Sequence, residues 1–135
     1  MKRGAGLWID HRKAVIVTVT EDGLETKQIQ SNIEKHIRLS GRSSEDGSAE
    51  DMQDRQIVNH LNIFYDEVIA AIRDVESILI IGPGEAKGEL VKRLERDEIG
   101  GRIVGLETVD KMTDRQIAEK VRQKYHIQKN TSRQR

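Results

Sequence analysis

The stretch SILIIGPGEAKGELVKRL, residues 77 to 94, limits what this chain can fold into more than any other. An apolar run too short for a helix stops at a glycine, and Ala86, Leu90, Val91 and Leu94 at once repeat at helical spacing. A buried strand turning directly into a helix is the repeating unit of sheets that carry helices on their faces. The turn also has the outline of a phosphate-binding loop, and that reading can be tested on the residues. A Walker loop needs a lysine after its last glycine and then a hydroxyl; here Lys87 precedes Gly88 and no hydroxyl follows. Gly82, Gly84 and Gly88 approach a dinucleotide fingerprint, and Glu107 falls near the end of the next strand, where a ribose ligand would sit. Against this, the turn follows the fourth strand and only one more strand comes after it. Glu85 would also face the pyrophosphate and repel it. The reading favoured is structural: Gly82, Pro83, Gly84 and Gly88 make a sharp strand-to-helix turn and allow close packing, and Glu85 and Glu89 complement the helix dipole.

Around this unit the rest of the chain falls into order. AGLWID, residues 5 to 10, and KAVIVTVT, residues 13 to 20, are β-rich and flank a turn at His11-Arg12; Glu21-Asp22-Gly23 is a tight-turn signal, and LETKQIQ after it alternates as a half-exposed or edge strand. Ile57, Leu61, Phe64, Val68, Ile72 and Val75 predict one long amphipathic helix over about residues 53 to 74. Gly100-Gly101 should close the second helix, and RIVGLET, 102 to 108, reads as a last strand. Thr113 and Gln116 form a capping box for a final helix with Ile117, Val121 and Tyr125 on its apolar side. The string M-x-D-R-Q-I occurs from Met52 and again from Met112, each time where a helix is expected to open, most simply by coincidence. The expected order is βββαβαβα, an α/β fold with a mixed five-stranded sheet in a three-layer arrangement.

The chain of 135 residues suits a single domain, here 1–126 with a basic tail at 127–135. With one Trp, one Phe and two Tyr, the core has to be built from Ile, Val and Leu. Lys and Arg total 23, as do Asp and Glu, so no net charge draws the chain to nucleic acid or membrane. The distribution is uneven. Glu45, Asp46, Glu50 and Asp51 crowd a Ser/Gly-rich segment, and residues 38–54 are expected to form a mobile loop. From Lys120 onward the charges are all cationic. There is no cysteine for disulfides or thiolate metal sites. No run approaches the roughly 20 apolar residues of a membrane span, so a cytoplasmic protein is expected.

A sheet that opens with a meander and continues α/β is the order of ribonuclease H-like folds, whose nucleases hold two metals through carboxylates. Asp10, Glu67 and Glu85 could be recruited to that role, but Asp10 adjoins His11-Arg12-Lys13 and reads better as a turn acid. His11, His36, His60 and His126 show no metal-ligand spacing. No nucleophile motif is present. Catalytic residues, metal and cofactor are therefore expected to be none.

The segments WIDHRKAVIV, IIGPGEAKGEL and GGRIVGLETVDKMTDRQI resemble the middle domain of archaeal and eukaryotic peptide-chain release factors and of Pelota, and the small bacterial release-factor-like translational machinery proteins. The resemblance spans nearly the whole chain. Its most specific piece is Gly82 to Leu90, with Lys87 at the family's lysine. It implies a ribonuclease H-like domain working at the ribosome or on tRNA. It also implies a Gly-Gly-Gln in the loop before the long helix if the chain hydrolysed peptidyl-tRNA, and here that stretch has Ser40-Gly41-Arg42 instead. The reading adopted is a non-enzymatic, RNA-binding, ribosome- or tRNA-associated module. Lys35, Arg38, Arg42, Lys87, Arg122 and Lys124 would be its phosphate contacts. A hydrolase of peptidyl-tRNA or of RNA remains an alternative, as does a homodimer pairing through the edge strand near residues 24 to 29.

Overall fold

A computed structural model describes residues 4–31 and 47–125, and for 47–58 the backbone alone. Strands β1 (Gly4–Ile9), β2 (Lys13–Thr20) and β3 (Gly23–Gln30) form a meander. Helix α1 (Gly47–Ile72) leads into β4 (Ile78–Gly82) and α2 (Ala86–Arg96). After a 3-10 turn at Gly100–Arg102 come β5 (Ile103–Thr108) and α3 (Asp114–Lys124). The strand order is β3-β2-β1-β4-β5. β2 runs antiparallel to both β1 and β3, whereas β1, β4 and β5 are mutually parallel. This is the expected mixed five-stranded α/β sheet, ribonuclease H-like in its order.

Composition explains which strands are central. β1 and β4 are buried along their whole length and β2 at all but its end residues; only Thr18 interrupts their apolar interior. Such strands need neighbours on both sides and helices on both faces. β3 and β5 carry Glu25, Lys27, Gln28, Glu107 and Thr108 exposed and take the two edges.

One face of the sheet presents Leu7, Ile9, Ile16, Ile78 and Ile80 to α1 and α2, which contribute Phe64, Val68, Ile69, Ile72, Leu90 and Leu94. The other presents Trp8, Val15, Val17, Val19, Leu79 and Ile81 to α3 through Ile117 and Val121. α3 lies close because β1 offers it a glycine: a Cβ at Gly6 would fall 2.3 Å from Val121 Cγ2. Trp8 is anchored by its indole N–H, which donates to Asp110 O at 3.1 Å, and Lys13 Nζ stands 5.8 Å above its ring.

The helix ends depart from the sequence expectation. α1 begins at Gly47, six residues before the expected 53, so the second part of the predicted 38–54 loop is helical; residues 38–46 lie outside those described. Glu50, read as a loop acid, closes its first turn, where the helix dipole favours negative charge, and Asp51 opens the second. The first M-x-D-R-Q-I therefore sits inside α1, while the second runs into α3. α1 stops at Ile72, and Val75 is buried in the following turn, its N–H donating to Ile72 O at 3.3 Å. α2 ends at Arg96, before Gly100-Gly101. Its last carbonyls are satisfied by Glu98 N–H to Glu95 O and Ile99 N–H to Leu94 O, a Schellman motif. Glu98, with φ of 66°, takes the left-handed place that glycine usually fills. α3 carries the expected capping box: Thr113 Oγ1 accepts from Gln116 N–H at 3.1 Å and Gln116 Oε1 accepts from Thr113 N–H at 2.9 Å.

Candidate functional site

The three parallel strands finish together, and the segments leaving them meet at one end of the sheet. In open α/β sheets this is where ligands bind, beside the point at which strand order reverses, here between β1 and β4. From β1 comes the turn Asp10-His11-Arg12. Asp10 Oδ1 accepts from the N–H groups of Arg12 at 2.8 Å and Lys13 at 2.9 Å, and Ser31 Oγ donates to His11 O at 2.7 Å. The carboxylate is thus a turn acid. From β4 comes Gly82-Pro83-Gly84. A Cβ at Gly82 would meet Ile9 O at 2.2 Å, so only glycine lets β4 pass β1 here, and Gly84 turns with φ of 66°. Gly88 has open space where a Cβ would stand, so the close packing expected of it is not needed. From β5, Val109 N–H returns to Gly82 O at 3.1 Å and ties the third exit to the second.

Side chains join these exits to the helices. Glu89, in the first turn of α2, accepts from Tyr65 OH of α1 at 2.5 Å, and His11 Nε2 lies 3.1 Å from the same Glu89 oxygen. One carboxylate therefore clasps both helices of one face to the first turn of the sheet. Burial, then the hydrogen bond and charge of Glu89, push the Tyr65 hydroxyl's pKa well above the usual tyrosine range. Glu89 was expected only to complement the helix dipole. Glu85 occupies the N-cap of α2 without a side-chain cap bond. Lys87 Nζ donates to Gly84 O at 2.7 Å, so its amine bends back over the turn. A shallow depression lies alongside, lined by Glu85, Lys87, Gly88, Lys92 and the half-exposed Leu106.

The other sequence candidates are dispersed. Lys124 Nζ lies 3.5 Å from Val104 O, at the start of β5, whereas Lys87 follows the end of β4, which pairs at Thr108. Those positions are about 13 Å apart along the strand. Arg122 is ion-paired to Glu119 on α3 at 2.8 Å, and Glu107, the imagined ribose ligand, is paired with Lys120 at 2.8 Å. Lys35, Arg38 and Arg42 lie outside the described residues, as do His36 and His126. The carboxylates of the metal-dependent reading are not brought together. Glu67 stands beside residues 27–30 of β3, and Glu85 at the end of β4, three strand spacings or about 14 Å across the sheet. Among the described residues no three His, Asp or Glu side chains gather as a metal site. The Tyr65–Glu89–His11 clasp had one sequence signal: a tyrosine in an apolar stripe, whose hydroxyl needs a buried partner.

The site is thus the crevice of a ribonuclease H-like α/β domain, built around a glycine turn and a lysine. No protein-family model matches the sequence, and no curated protein does. Among solved structures, Pelota of Archaeoglobus fulgidus superimposes with a TM-score of 0.56 and 17% identity, over 91% of this chain and 31% of that one. Pelota of Thermoplasma acidophilum gives 0.50 and 19% identity, over 89% and 31%. A looser likeness, TM-score 0.49 and 13% identity, relates 91% of this chain to 39% of the archaeal translation termination factor aRF1. The chain spans about a third of the length of the Pelota proteins it resembles. The likeness is one of fold, consistent with a middle domain, as the resemblance in the sequence implied.

Proposed function

We propose that the chain is a non-enzymatic translation-related module that associates with the ribosome or tRNA in the cytoplasm. The observation that carries this reading is the likeness of fold to archaeal Pelota over 91% of the chain. The sequence supports it twice: the GPGEAKGEL turn with Lys87, and Ser40-Gly41-Arg42 where a peptidyl-tRNA hydrolase of this resemblance would carry Gly-Gly-Gln. In this reading Lys87, at the mouth of the crevice, is one phosphate contact and Arg122 and Lys124 on α3 are others, with Lys35, Arg38 and Arg42 ahead of α1 completing the set. Such contacts hold a phosphate backbone in position and read no sequence.

Co-sedimentation with ribosomes across a salt series, with a parallel tRNA gel-shift, tests the proposal. The expected result is binding at low salt that weakens steeply as salt rises. Lys87→Glu and Lys124→Glu should each reduce the salt slope by about 1. A chain that binds neither ribosomes nor tRNA at low salt contradicts the reading. Release of peptide from peptidyl-tRNA by the purified chain would replace it with the hydrolase alternative.

A further inference from the structure

We infer that β3 is the seam of a two-fold homodimer, pairing antiparallel with its own copy about Thr26. Among the described residues β3 is an edge strand, and residues 24–28 are partly or fully exposed. Its phase follows from one bond. Ser31 N–H donates to Arg12 O at 2.9 Å, continuing the register Lys13↔Gln30. Odd-numbered residues of β3 therefore turn their backbone groups toward β2. Leu24, Thr26, Gln28 and Gln30 turn theirs outward, ready for another strand. The phase admits only registers that pair even residues with even.

Charge selects among them. Centring on Glu25 sets Glu25 against its own copy, and centring on Lys27 does the same for Lys27; both are repulsive. Centring on Thr26 places Glu25 opposite Lys27 of the second copy, and Lys27 opposite Glu25. The same register sets Thr26 against Thr26 as a hydrogen-bonded pair and Leu24 against Gln28 on the far face. A lysine on an edge strand ordinarily deters pairing. Here, of the registers the phase admits, only the one centred on Thr26 sets each Lys27 opposite a β3 carboxylate of the second copy. The faces also agree. Ile29, odd-numbered, is packed in the core under α1, so Glu25 and Lys27 lie on that side in both copies, beside the groove that Ala70, Ala71 and Asp74 leave along β3.

Charge exchange tests this directly. Sedimentation velocity of the full chain should show a concentration-dependent dimer. Glu25→Lys and Lys27→Glu should each raise its dissociation constant by at least about tenfold, because each puts two like pairs across the seam. The double variant Glu25→Lys/Lys27→Glu should return it to within about threefold of the parent. Circular dichroism checks that each variant is folded, which these exposed sites allow. Cysteine supplies a second readout, since the chain has none of its own. Thr26→Cys should form an intermolecular disulfide, as hydrogen-bonded partners stand about 5.5 Å apart at Cα. Gln28→Cys should not, because its copies would lie about 14 Å apart along the seam. A chain that stays monomeric to roughly 0.1 mM overturns the inference, as does a double variant no better than the singles, or crosslinking at position 28 in place of 26. The seam shares no residue with the phosphate contacts, so ribosome binding and dimerisation can fail independently.

Discussion

The two faces of the sheet are covered by different means. On one, the 26-residue α1 and the 11-residue α2 spread aliphatic and aromatic side chains over the sheet. On the other, among the described residues, the 11-residue α3 is the helix that does the covering. The first face is held by bulk. The second is held by fit: the missing Cβ of Gly6, the capping box at Thr113, and Tyr125, whose hydroxyl donates to Ala5 O at 3.1 Å and accepts from Ser77 Oγ at 3.0 Å. A face held by bulk should respond to loss of volume, and one held by fit to gain of volume and to loss of single hydrogen bonds.

Urea denaturation of variants can break that contrast. Phe64→Ala, which empties a fully buried ring from the first face, should destabilise the fold by about 3–5 kcal/mol. Gly6→Ala, adding one methyl group to the second face, should cost about 1–3 kcal/mol by driving Val121 and α3 outward. The near-ultraviolet signal of Trp8 should change with it, because the indole lies under the same helix. Were the added methyl tolerated without cost, α3 would not be held by fit. Thr113→Ala should cost about 1 kcal/mol, since it removes the hydroxyl that accepts from Gln116 N–H in the capping box. On the first face a local change of similar size runs the other way: Glu98→Gly should stabilise by about 0.5–1 kcal/mol, by relieving a left-handed non-glycine residue.

The smallest effect at neutral pH comes from two tyrosines, Tyr65 buried under the first face and Tyr125 half-buried under the second. Burial raises the pKa of both Tyr65 and Tyr125; at Tyr65 the bond to Glu89 adds to it, while at Tyr125 the bonds to Ser77 and Ala5 oppose it. A raised acid binds its proton more tightly in the fold. The stability it contributes is complete below the unfolded pKa of about 10 and is lost as pH rises above it. Stability should therefore be flat through neutral pH and fall in alkaline solution. Tyr65→Phe should flatten that fall more than Tyr125→Phe, in equilibrium denaturation followed against pH.

Local patterns were legible. The buried run at 78–82, its glycine turn, the meander and the Thr113 cap all depend on residues within a few positions of one another, and each stands where the periodicity put it. The start of α1 was not, because its Ser, Gly and acidic residues suit a loop and a dipole-stabilised first turn equally well. Nor was the end of α2: two glycines advertised a stop, but the Schellman bonds closed it earlier at a glutamate. The candidate cations were visible as types. Their separation across the domain was not, because charge in a sequence carries no direction.

By itself the sequence determined which segments are strands and helices, and that the strand ending at Gly82 is buried, since hydrophobic period and burial demand are properties of single segments. Only the tertiary structure decided that β4 enters beside β1, that Glu89 meets both Tyr65 and His11, and that β3 keeps an outward row of backbone groups flanked by alternating charge. Those facts depend on crossover, register and strand phase, which arise when distant segments pack and which no short stretch of residues encodes.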